Sequence, residues 1–117
     1  GDVYKRQVLS SRAVRCQKTV LPLARQAGLE VAPDPVLYEG ASLQALRLVE
    51  NLARNDDQNN TTVLCSHGDV ISEMLRNLML TGLWTHGDRG CAKGSVWELS
   101  CRGGVVVEGR YHHPPTA

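Results

Sequence analysis

Aromatic side chains are almost missing from this 117-residue chain, which has no phenylalanine, two tryptophans and three tyrosines, 4% of its residues in all. An excess of one charge is missing too: 13 Lys and Arg against 12 Asp and Glu leave a net charge of +1. With neither a basic block nor a set of rings on which bases stack, no nucleic-acid partner is expected. No apolar run approaches the roughly 20 residues that a membrane-spanning helix needs, and no charged segment followed by an apolar core opens the chain as in a secretory signal. No membrane partner is expected, and the chain reads as soluble and cytoplasmic. Its four cysteines, Cys16, Cys65, Cys91 and Cys101, show no C-x-x-C spacing and lie in otherwise apolar strand and helix patterns. That argues for buried reduced thiols and against a disulfide framework or a zinc site. No metal and no other cofactor is expected, since the adjacent pair His112 and His113 lacks the further spaced ligands that coordination requires.

What is present suffices for one core. A chain of this length that is 42% hydrophobic supports a single modest domain, and no internal repeat divides it. Residues 7–10 read as a short strand. A helical pattern follows, with small or apolar residues at Ala13, Cys16, Val20, Leu23, Ala24 and Ala27. Pro22 is expected to kink or restart that helix and Gly28 to close it. Residues 29–31 suggest a brief extended piece and residues 33–35 a turn. Ser42 is the expected N-cap of a second helix, whose inward residues are Leu43, Leu46, Val49, Leu52 and Ala53. A polar loop over 54–60 leads to a buried strand over 61–65. From Asp69 onward, Val70, Ile71, Met74, Leu75 and Leu78 mark a third amphipathic helix that Gly82 ends. The stretch 85–93 lacks periodicity and reads as a loop. Residues 95–99 and 105–109 flank Arg102-Gly103-Gly104, a hairpin signal, and the tail from His112 is expected to fray.

Strands alternating with helices imply an α/β fold: a three-layer, mostly parallel open sheet flanked by helices, to which the last hairpin adds antiparallel strands. Ligands of such sheets bind at the carboxyl ends of the strands. Ser10-Ser11 and Ser66-His67-Gly68 each lie just after a strand and just before a helix. Helix starts offer unpaired backbone donors and the positive end of a dipole, so an anion is the natural ligand between them. Arg15, in the first turns of the first helix, has a planar fork of donors that suits a phosphate. His67 is placed to donate to the same group or to move a proton. Read singly, His67 is equally a capping or core histidine, Arg15 a solvated helix residue, and Ser10 and Ser11 backbone-shaping residues.

These residues also resemble a family. The pattern Ser10-Ser11-Arg12-Ala13-Val14-Arg15-Cys16-Gln17-Lys18-Thr19 and the strand into Ser66-His67-Gly68 are similar to two motifs of the histidine phosphatases. These share the phosphoglycerate-mutase-like fold, and the likeness is to their small bacterial phosphohistidine-phosphatase-like branch. Residues 36–40, which carry Glu39, and Lys93-Gly94-Ser95 resemble two further segments in the family's order. The resemblance implies a metal-independent phosphomonoesterase that works through a phosphohistidine. By it Arg15 is a phosphate-binding arginine, His67 the second histidine of the pocket, Glu39 a candidate proton donor to the leaving oxygen, and Ser10 and Ser11 occasional phosphate contacts.

The family's nucleophile sits in an Arg-His-Gly motif that this chain does not contain. The expectation is therefore an N-terminally truncated domain over residues 8–113, missing its first strand and inactive as it stands. Residues 1–7 would be a non-native leader and 114–117 a tail. The substrate class implied is a phosphorylated small molecule, a nucleotide or a phosphohistidine protein. Two alternatives stand beside this one: a non-catalytic phosphate-binding module, and the appended phosphatase domain of a Nudix-type hydrolase with the Nudix domain upstream.

Overall fold

The computed structural model describes residues 5–55 and 60–115. In chain order the elements are β1 (Lys5–Ser10), α1 (Val14–Ala27), β2 (Val31–Pro33), a single short helical turn (Pro35–Leu37), α2 (Ser42–Arg54), β3 (Asn60–Cys65), α3 (Gly68–Leu80), β4 (Trp84–His86), β5 (Val96–Arg102) and β6 (Val105–His112). The predicted helices and the hairpin are all there. Part of the loop expected over 54–60, and parts of the leader and tail, lie outside the described residues.

β2, β1 and β3 form a parallel sheet in that order, with Ser10 level with both Pro33 and Cys65. Val8 points to one face, where it packs with Val20 and Ala24 of α1 and with Val31 and Val63 beside them. Leu9 and Leu64 point to the other, against the larger cluster formed by α2 and α3. Successive strand residues alternate faces, so a sheet with helices on both sides needs apolar residues at every position, as the run Val8-Leu9 and Val63-Leu64-Cys65 supplies. The expected α/β fold is present, with helices packed on both faces of this parallel sheet.

The single open sheet is not. The hairpin forms a second sheet of order β4-β6-β5, in which β4 runs parallel to β6 and β5 antiparallel to it. The hairpin closes on its own turn, with Gly103 and Gly104 at φ 60° and 80°, the left-handed pair that a tight two-residue connection demands. Its pairing is therefore local, and β4 rather than β3 takes the free edge of β6. What joins the two sheets is side-chain packing: Val106, Leu83, Leu99 and Trp97 share the cluster of α2 and α3.

Several local expectations are corrected. β4 overlaps the start of the stretch read as loop, at residues 85–86, because three residues are too short to show a period. His112 ends β6 rather than starting a frayed tail, held by pairing to Val96. Pro22 lies inside α1, which runs on without a break. Leu23 of α1 and Leu43 of α2 are 45% and 58% exposed; on α2 the expected Val49 and Ala53 are buried, and Ala45 is buried with them. Ala41 rather than Ser42 is the N-cap of α2, and no side chain bonds to that end. The four cysteines form no disulfide; Cys16 is buried, Cys65 and Cys101 are half-buried, and Cys91 is exposed.

Candidate functional site

Three strands that end level bring the segments after them to one edge: Ser11 after β1, the loop through Glu39 after β2, and Ser66-His67 after β3. The backbone continues the ladder briefly. The Ser11 amide donates to the Cys65 carbonyl and the Asp34 amide to the Ser10 carbonyl, each at 2.8 Å. Ser66 Oγ donates to the Leu37 carbonyl at 2.5 Å, and Asp69 Oδ2 accepts from the Gly40 amide at 3.4 Å, tying the β2 loop to the start of α3.

His67 occupies the N-cap of α3 with extended backbone, and its side chain makes no capping bond. The imidazole turns instead towards α1 and is 7% exposed. Its Nε2 lies 2.8 Å from Ser11 Oγ, which also accepts from the Ala13 amide. Its Nδ1 lies 3.1 Å from Arg15 Nη2 and 3.4 Å from Glu39 Oε1. A guanidinium can only donate, so in the neutral ring Nδ1 is the acceptor and the proton resides on Nε2, facing Ser11. Nδ1 thus meets Arg15 at the wall of an open cavity of about 490 Å³ whose walls include Arg15, Glu39, His67, Asp69 and Lys93.

Of the five residues expected at the site, Arg15, Glu39 and His67 line the cavity. Ser11 does not line it; its hydroxyl holds Nε2 of the imidazole at 2.8 Å. Ser10 is fully buried and bonds to the Ser11 carbonyl, which makes it a shaping residue. Sequence reasoning missed Asp69 and Lys93 as cavity residues, and Ser66 as a tether. The segment of Lys93 carries part of the resemblance, but nothing in the chain marks Lys93 as a residue of the cavity wall.

Arg15 and Glu39 form an ion pair across the mouth, the carboxylate also facing His67. Any anion entering must take Arg15 from Glu39. Both partners are more than half exposed, and an exposed pair is worth about 0.2–1 kcal/mol, so Glu39→Gln is expected to tighten binding of an inorganic anion such as phosphate by about 1.4- to fivefold. Calorimetric titration of the variant checks this; weaker binding would mean that the carboxylate assists the ligand.

Beneath the cavity, burial first and the neighbouring Cys16 thiol second push the Cys65 thiol up to about 12. The raised value favours the neutral thiol in the folded state. Its contribution to stability is therefore whole below the ordinary thiol range and is lost as pH climbs from there towards 12. Alkylation at mildly alkaline pH is expected to modify the exposed Cys91 at least about tenfold faster than Cys65, read by mass spectrometry of the digested chain. Equal rates would contradict the burial of Cys65.

Among the described residues no cluster of three or more His, Cys, Asp or Glu side chains is arranged to hold a metal ion. His112 and His113 point to different partners, Glu98 at 2.9 Å and Asp88 at 3.0 Å. Nor is any described helix long and apolar enough to cross a membrane.

No family model matches the chain. Over 107 residues, 87% of its length, it is 30% identical to the 8-oxo-(d)GTP phosphatase of Mycolicibacterium smegmatis. The chain spans about a third of that protein, 32% of its length. This relative, which is named for a nucleoside triphosphate, overturns the expectation of a metal-independent phosphomonoesterase working through a phosphohistidine.

Proposed function

We propose that this chain is an appended domain of a longer, Nudix-type nucleotide hydrolase, and that its cavity takes a phosphate group of a nucleotide. The observation that carries this is the convergence on one open cavity of Arg15, Lys93, the N-terminus of α3 and a buried imidazole whose Nδ1 meets the Arg15 guanidinium, beside the carboxylates of Glu39 and Asp69. Two cationic side chains and the helix end offset the charge of phosphate oxygens, and Arg15 binds two of them at once. His67 Nδ1 accepts a hydrogen bond from a protonated phosphate oxygen, or takes up that proton while Ser11 holds the far side of the ring.

The test is a titration of the isotopically labelled chain with inorganic phosphate, followed by NMR. Saturable amide shifts at Arg15 and at residues 66–69 are expected. Shifts elsewhere, or none at millimolar phosphate, would discard the pocket. The link to a Nudix-type unit is checked separately by reading the gene for a glutamate-rich Nudix helix in the same frame.

A further inference from the structure

Beside the phosphate cavity lies a second groove of about 520 Å³, lined by Arg12, Ala13, Val14, Pro35 and Tyr38. The two hollows are built from adjoining residues of the same two segments: Val14 precedes Arg15 at the start of α1, and Tyr38 precedes Glu39 in the loop after β2. Tyr38 stands at the boundary. Its ring lies 5.5 Å from the imidazole of His67, turned 77° to it, and the residue remains 49% exposed. Val14 is 66% exposed, and neither residue belongs to either core cluster. Tyr38 is nevertheless firmly placed, because the preceding Leu37 is 2% exposed and its carbonyl is held by Ser66.

We infer that this groove seats the base of a nucleotide whose phosphate lies between Arg15 and His67, an inference that rests on the phosphate reading above. Tyr38 supplies an aromatic surface for a planar base, and Val14 and Pro35 supply apolar contact. Arg12 adds a guanidinium that can stack on the base or donate to ring acceptors such as guanine O6 and N7. With one aromatic ring among the residues that line the groove, the ligand is a mononucleotide and not a strand. Phosphate and base are recognised by different residues, so the two contributions can be measured apart.

Calorimetry on the 117-residue chain with guanosine monophosphate, ribose 5-phosphate, inorganic phosphate and guanosine separates them. Stacking of one base predicts that guanosine monophosphate binds about tenfold more tightly than ribose 5-phosphate. Tyr38→Ala should bring that ratio close to one, Tyr38→Phe should keep it, and Arg12→Ala should reduce it. Equal affinity of the intact chain for the two phosphates, or a ratio that survives Tyr38→Ala, would overturn the base groove and leave the phosphate reading standing. Binding of guanosine without binding of inorganic phosphate would overturn the phosphate reading, and with it the joint site.

Discussion

Replacing Arg15 with alanine is expected to weaken inorganic phosphate binding by about ten- to a hundredfold, the worth of one or two charge-assisted hydrogen bonds at roughly 1.5–3 kcal/mol each. The guanidinium is the group that reaches both Glu39 and His67 Nδ1, so it already sits where an anion would be clamped. Removing it leaves Lys93 and the start of α3 as the remaining positive groups of the cavity. Arg15→Lys keeps the charge and loses the fork, and should recover only part of the affinity. His67→Ala should fall in the same range as Arg15→Ala, since it also opens a hole beside Ser11. Calorimetric titration with phosphate reads all three variants. Affinities within about twofold of the parent for both alanine variants would remove these residues from the site, since even one charge-assisted bond is worth more than that.

Leu37→Ala is expected to cost about 2–5 kcal/mol of folding stability, the usual range for a buried leucine reduced to alanine. Leu37 is 2% exposed and packs in the cluster with Ala45, Val49, Val70 and Met74. Small domains hold only about 5–15 kcal/mol in total, so the loss is large. Leu37→Met preserves volume and should cost less than about 1.5 kcal/mol. Urea unfolding followed by circular dichroism measures both. A loss below about 1 kcal/mol in the alanine variant would mean that the cluster closes over the gap without strain, contrary to the spread seen for such truncations. Because the Leu37 carbonyl also accepts from Ser66, the alanine variant should broaden the resonances of residues 66–69 in the folded protein.

The helices were legible because their apolar residues recur at three- and four-residue spacing, and packing agrees with that spacing at Cys16, Val20 and Ala24 and again at Val70, Met74, Leu75 and Leu78. Where reading failed, the helix offered more apolar residues than the neighbouring elements cover. Leu23 and Leu43 are apolar and exposed, and Ala45, which carries little hydrophobic weight, is wholly buried. A period states which residues share a face; it does not state which face meets the core.

At the site the same division holds. Two strand-to-helix junctions, each with polar residues where a helix leaves free donors, could be found in the chain, and Arg15, His67 and Glu39 came from that pattern and from a resemblance to known motifs. That Ser11 bonds to the imidazole, that Glu39 bridges Arg15 and His67, and that Lys93 lines the cavity depend on parallel pairing of β1 with β3 and on the loop after β2 lying level with both. Those contacts join residues 24 to 56 positions apart. By itself the sequence determined the helices, the hairpin and the parallel strands, because local periodicity and turn chemistry act over a few residues. Only the tertiary structure decided that the strands form two sheets and that a tyrosine stands exposed between two adjoining grooves, because both follow from the packing of segments distant in the chain.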